Sequence, residues 1–293
     1  MAYNETMELI KCFPPPLREE LRDIDLDQVR DIRLFVGRPC AVRGEMGEYL
    51  TEYMPDAGDI DAIAQALSLR MLRLSTGASE GYITLQNGHR MGLCGHVTPE
   101  REGLLLHGLG SLCIRVAHEV PGCGRHLAAC VRQGGGVLVA GAPGSGKTTM
   151  LRDALRILSD EGRAVGLADE RGEVAACLDG VPQLDVGLRT HVIDGCKKAD
   201  GLRWLLRAMS PDLLATDELY GPDECLAVRE AASCGVPVVA TVHAGSAAEL
   251  CARLGIRLLL AEGTVSRVLF LHQRRVVLTL GAAEMLESAC LCR

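Results

Sequence analysis

The stretch "VLVAGAPGSGKTTMLRD", residues 137–153, runs from four small apolar residues through three glycines and a proline into Lys147-Thr148-Thr149. Gly141 to Thr148 satisfies the pattern G-x-x-x-x-G-K-[ST], with an apolar strand before it and an amphipathic helix after it, the context this phosphate loop requires. Glycines let the backbone curl until successive N–H groups face inward, and the positive end of the following helix adds to their field. Gly141, Ala142, Pro143, Gly144, Ser145, Gly146, Lys147, Thr148 and Thr149 are therefore the candidate nucleotide-binding residues. Lys147 is expected to reach the β and γ phosphates, and the Thr148 hydroxyl to ligate Mg2+.

Outward from this loop the chain repeats strand then helix. "RAVGLADE" (163–170), "PDLLATDE" (211–218) and "VPVVATVHA" (236–244) read as buried strands, while "KTTMLRDALRILSDEG" (147–162), "DGLRWLLRAMS" (200–210) and "PDECLAVREAASCG" (222–235) read as helices. Four such strands with helices between them imply a parallel sheet wrapped by helices. The tail "RVLFLHQRRVVLTL" (267–280) reads as a hairpin. Asp217, at the carboxyl end of its strand, is expected to hold Mg2+ through water, and Glu218 to orient and deprotonate an attacking water. In "ADERGEVAAC" (168–177), Asp169, Glu170 and Glu173 surround Arg171. Either this is an ordinary charged loop, or its carboxylates face the γ phosphate, because ligands of parallel sheets sit at the strands' carboxyl ends. His243 likewise either senses phosphate or caps a helix.

Upstream the pattern changes. "DIRLFVGRPCAVR" (31–43) and "SLCIRVAHEV" (111–120) alternate, and "GYITLQNGHRMGLCGHVT" (81–98) reads as a hairpin turning at Asn87-Gly88. The division expected is a smaller α+β domain with an antiparallel sheet over 1–122 and an α/β domain over 123–293. With 48% hydrophobic and 24% charged residues the 293-residue chain has a globular composition. A net charge of −7, with three Phe, five Tyr and one Trp, gives little to attract or stack on a polynucleotide, so no nucleic acid is expected. No apolar run approaches eighteen residues, and direct membrane insertion is not expected. The thirteen cysteines are scattered without a C-x-x-C pair, which points to reduced thiols buried as small hydrophobes rather than a zinc site or a disulfide frame.

The order of the segments resembles a known lineage: phosphate loop, acid-rich box, "LLRAMSPDLLATDE", then "AASCGVPVVATVHAG". It is similar to the ATPases of type II, type IV and pilus secretion machines, and within them to the stage III sporulation protein AA family. "GAPGSGKTTMLRD", "DERGEVAAC", "DGCKKADGLRWLLRAMSPDLLATDEL", "GYITLQNGHRMGLCGHV" and "SLCIRVAHEV" carry the closer likeness. The resemblance implies a RecA-like P-loop ATPase domain after the α+β domain, using ATP and Mg2+. It puts Glu170 and Glu173 in an Asp box of the nucleotide site and His243 in a His box. It further implies a cytoplasmic ATPase of the mother cell, a homo-oligomer of hexameric ring form, recruited to membrane-embedded sporulation channel proteins. In such a ring Arg90 and Arg115, with Arg33 behind them, are the candidates for a cation supplied by a neighbouring protomer; the other reading makes them solvated strand charges. A RecA-like motor acting on nucleic acid is the alternative function. Gly172 stands where Ser is frequent in the family, and Leu219-Tyr220 where it usually has Ile-Gly after Asp-Glu; the latter puts the packing beside Glu218 in question.

Overall fold

The computed structural model describes residues 9–22, 24–25, 28–44, 47–68, 82–100 and 103–291. The chain divides into two compact units, 1–118 and 119–293.

The first unit is built on alternation. Strands β1 (Val29–Phe35), β2 (Arg38–Gly44), β3 (Gly47–Leu50), β4 (Tyr82–Thr84), β5 (Arg90–Glu100) and β6 (Gly103–Arg115) form one sheet in the order β3-β2-β1-β6-β5-β4. Every neighbouring pair is antiparallel. Ile32, Leu34, Met91, Leu112 and Ile114 point to the same side, where they bury against Leu17 of helix α1 (Pro15–Glu20) and Ile60 and Ile63 of helix α2 (Ala57–Ser68). The expected hairpin turn is present: Thr84 pairs with Arg90, and Asn87 and Gly88 both take positive φ, 59° and 75°, as a tight turn between twisted strands requires.

In the second unit the elements are α3 (Arg125–Arg132), β7 (Gly136–Gly141), α4 (Lys147–Asp160), β8 (Val165–Asp169), β9 (Thr190–Asp194), α5 (Lys198–Ala208), β10 (Leu213–Glu218), α6 (Pro222–Ser233), β11 (Val238–Val242), α7 (Ala247–Ala252), α8 (Leu254–Ala261), β12 (Val265–His272), β13 (Arg275–Gly281) and α9 (Ala282–Leu291). The sheet order is β13-β12-β7-β11-β10-β8-β9, parallel except for the β12–β13 hairpin. All six residues of β7 are buried. Val137 and Val139 pack on one side with α3 and α4, and Leu138 and Ala140 on the other with α5 to α9. A strand buried on both faces cannot show alternation, which is why "VLVA" reads as a continuous apolar run.

Two features were absent from the sequence reading. Strand β9, "THVID", joins the far edge, and only partial burial of its side chains disguises it. The tail hairpin is not separate from the sheet, since β12 pairs in parallel with β7 along Val265 to Leu271. The cysteines also divide. Cys40, Cys130, Cys225 and Cys251 are buried, but Cys94 and Cys234 are exposed, the first towards solvent on β5 and the second at the end of α6. No helix of the described residues is long and apolar enough to cross a membrane.

His89 sits 4% exposed at the start of β5, where its Nδ1 accepts the Ala117 N–H at 3.0 Å and its Nε2 is buried without a partner. Burial, helped by the nearby His118, pushes the imidazole down from 6.5 to about 4. A base whose pKa is lower in the fold than in the unfolded chain contributes stability that is complete above pH 6.5 and lost as pH falls towards 4. The loss is about 3 kcal/mol across that window. Urea unfolding of His89→Asn, which keeps an acceptor for Ala117, should show a shallower decline of stability across the same window than the parent chain.

Candidate functional site

The carboxyl ends of β7, β8, β10 and β11 converge on the phosphate loop, and the loop's shape follows from close approaches. A Cβ on Gly141 would lie 2.5 Å from the Ser145 hydroxyl and 2.8 Å from the Leu271 carbonyl, so only glycine fits there. Gly144 and Gly146 take φ of 74° and 96°, which turns the chain into α4. Gly146 is the N-cap of that helix and carries no capping side chain, and the first turn holds no acidic residue. The N-terminal N–H groups are thus left for an outside acceptor, which is the structural requirement for an anion site.

Lys147 is 6% exposed and folds back over the loop. Its ammonium donates to the carbonyls of Gly141 and Ala142, both at 2.9 Å, and approaches His243 Nδ1 at 3.1 Å. The other ring nitrogen of His243, Nε2, lies 3.1 Å from Glu218 Oε2. A neutral imidazole with its proton on Nε2 satisfies both contacts, accepting from Lys147 and donating to Glu218. Burial lowers the Lys147 pKa, while the charges of Glu218 and Glu173 pull it back up.

Asp217 is 2% exposed, and the Lys198 ammonium at the head of α5 contacts its Oδ1 at 2.6 Å. The same ammonium donates to the Glu218 carbonyl at 2.6 Å. Burial raises the Asp217 pKa to about 6, against the lowering effect of Lys198. Glu170 accepts the Lys198 backbone N–H at 3.3 Å and lies 3.9 Å from its ammonium, so it caps α5. Asp169, fully buried, organises the acid-rich turn by accepting N–H groups from Glu173, Val174 and Ala175. Arg152 of α4 fastens that turn from outside through the carbonyls of Val174 and Glu173. Arg171 reaches Glu218 Oε2 at 3.9 Å.

The folded chain therefore brings Lys147, Glu218 and His243 into one hydrogen-bonded chain and sets Asp217 and Glu170 around Lys198. The Glu173 carboxylate is exposed and acts on Lys147 and Asp217 through its charge. Arg90 and Arg115 lie in the first unit, paired across β5 and β6. The Arg90 guanidinium stacks 4.9 Å from the Tyr82 ring centre, Arg115 is exposed, and Arg33 is held by Asp31 at 2.7 Å.

Two participants were not read from the sequence. Lys198 was missed because the helix reads from Asp200 in the sequence, whereas it begins at Lys198, a first-turn position where the dipole disfavours a solvated cation. Arg274 gave no signal: Gln273 and Arg274 make the β12–β13 turn at φ of 47° and 64° without glycine, and the Arg274 N–H donates to the Ser145 carbonyl of the phosphate loop at 3.1 Å.

For a divalent ion the Thr148 hydroxyl, half-buried in the first turn of α4, offers a hard oxygen. Among the described residues no three His, Cys, Asp or Glu side chains converge into a cage. Mg2+ usually binds with few protein ligands and takes the rest from phosphates and water.

Comparison with known proteins agrees with this geometry. The family model described as sporulation stage III, protein AA matches residues 9–279. The stage III sporulation protein AA of Bacillus subtilis (strain 168) is 33% identical over 282 residues, 92% of this chain and 91% of that one. Among solved structures, the Legionella pneumophila ATPase DotB superposes with a TM-score of 0.59 at 19% identity, covering 88% of this chain and 76% of that one. The pilus retraction motor PilT with bound ADP gives a TM-score of 0.59 at 17% identity, covering 87% and 76%. These likenesses establish a RecA-like α/β fold with a mostly parallel sheet, preceded by an antiparallel-sheet domain.

Lys147→Ala should leave the fold intact and weaken binding of a fluorescent ATP analogue about 100-fold, the equivalent of about 3 kcal/mol from lost charge-assisted bonds. Titration followed by fluorescence anisotropy, with a thermal melt as control, measures it.

Proposed function

The chain belongs to the stage III sporulation protein AA family, and from that premise we propose that it is a Mg2+-dependent ATPase of the secretion type. Its work is to power assembly of, or transport through, a transmembrane channel complex during endospore formation. It acts as a ring-shaped homo-oligomer, a hexamer, on the cytoplasmic face of the mother cell, recruited to the membrane by its partners.

The observation that carries the reading is the chain Lys147–His243–Glu218 at the mouth of the phosphate loop, with both links at 3.1 Å. On arrival of the triphosphate, the Lys147 ammonium exchanges its two carbonyl acceptors for phosphate oxygens, which bind a cation far more strongly than amide carbonyls do. The free N–H groups at the start of α4 take the remaining phosphate oxygens. Glu218 then accepts the proton of the attacking water, and His243, bonded through Nε2, holds that carboxylate in position. A base so placed contributes roughly 10²–10⁴ to the rate. Thr148 would hold Mg2+, which neutralises charge on the transferring phosphoryl group.

Glu218→Gln should bind the ATP analogue as the parent chain does and release phosphate at least roughly a hundredfold more slowly. Undiminished hydrolysis by this variant would remove Glu218 as the base. Light scattering with ATP present tests the ring, for which a persistent monomer is the contrary result.

A further inference from the structure

The acidic residue ahead of the catalytic carboxylate is already neutralised by the protein itself. Asp217 and Lys198 are 2% and 4% exposed, and their ion pair is 2.6 Å long. The second donor contact of Lys198, to the Glu218 carbonyl at 2.6 Å, fixes the next peptide group. Independently, the Thr216 hydroxyl donates to the Ala168 carbonyl at 2.8 Å and locks β10 to β8 immediately before Asp217.

The strand is irregular at this point. Thr216 pairs with Ala240 and Glu218 with Thr241, so two steps on β10 match one on β11, and Asp217 is the extra residue. A bulge of this kind redirects the side chains that follow it. Here it directs Glu218 to His243, the residue just past the end of the neighbouring strand β11, and Lys198 holds both the bulged carboxylate and the carbonyl after it. Lys198 sits at the positive end of α5, where a solvated lysine would turn outward. It is instead buried, with its backbone N–H capped by Glu170.

We propose that Lys198 is the standing cation of Asp217 and, through the bulge, a positioning residue for Glu218, so that Asp217 takes no part in holding Mg2+. This rests on the ATPase reading above. A divalent ion drawn to Asp217 would meet an ammonium already in hydrogen-bond contact with the same oxygen, and like charges at such separations in a buried site repel strongly. The metal is left with Thr148, phosphate oxygens and water.

The test uses the full chain with Lys198→Met, Asp217→Asn and the double variant, with Thr148→Val as the metal-site control. Affinity for the fluorescent ATP analogue is measured with excess Mg2+ and with EDTA. The double variant removes both buried charges together, so it carries the test even if a single variant fails to fold. The expected result is a Mg2+ enhancement of affinity in the double variant within about twofold of the parent chain, and its loss in Thr148→Val. Turnover of the double variant should fall roughly tenfold or more with KM within about threefold, because the base is misaimed while the phosphates are still gripped. Loss of the Mg2+ enhancement in the double variant, with analogue binding in EDTA retained, would make Asp217 a metal ligand and overturn this proposal alone. Failure of the parent chain to bind the analogue under either condition would overturn the ATPase reading and this proposal with it.

Discussion

Charge burial at the carboxyl edge of the parallel sheet is the constraint that organises the second unit. Lys147, Asp169, Lys198 and Asp217 are each less than a tenth exposed. An ion that has lost its water must find polar partners inside the protein or change its protonation state. Each of the four meets this requirement differently: Lys147 by two loop carbonyls and an imidazole, Asp169 by three backbone N–H groups, and Asp217 and Lys198 by each other. The acid-rich turn, the bulge on β10 and the back-folded lysine are the geometric answers.

The surrounding packing makes such a dense cluster rigid. Leu138 and Ala140 anchor β7 from one side and Val137 and Val139 from the other, so the loop that follows cannot slide along its strand. Close helix approach does the rest: a Cβ on Gly201 of α5 would sit 3.1 Å from both Ala168 and Ile193, and that tight seat over β8 and β9 carries Lys198 to Asp217. One helix couples the packing of the sheet to the charge cluster at its edge. Its buried stripe of Leu202 and Leu205 holds the sheet, and its first residue neutralises Asp217, the carboxylate beside Glu218.

Much of this was legible beforehand, and for a definite reason. The glycine-rich loop, the strand carrying Asp217 and Glu218 and the strand that leads into His243 are contiguous segments whose local pattern alone announces strand, turn and helix. Strand β9 escaped because an edge strand with half-buried side chains lacks both a continuous apolar run and clean alternation. The docking of the last hairpin beside β7 escaped because its two partners, Val137 and Arg267, are far apart in sequence, and nothing local encodes their pairing. The exposed thiols of Cys94 and Cys234 escaped because residue type states a preference for burial, while position on a particular face decides it.

By itself, then, the sequence determined the glycine-rich loop between strand and helix, the two-part architecture and the family, all of which reside in short-range patterns. Only the tertiary structure decided what each charged residue faces. The Glu170 carboxylate caps a helix nearly thirty residues on, and Lys198 lies nineteen residues from the aspartate it neutralises. His243 joins a lysine ninety-six residues away to the Glu218 carboxylate. Electrostatic partnership depends on distance and burial in space, and in a sheet whose strand order departs from chain order these are fixed only when the strands have paired.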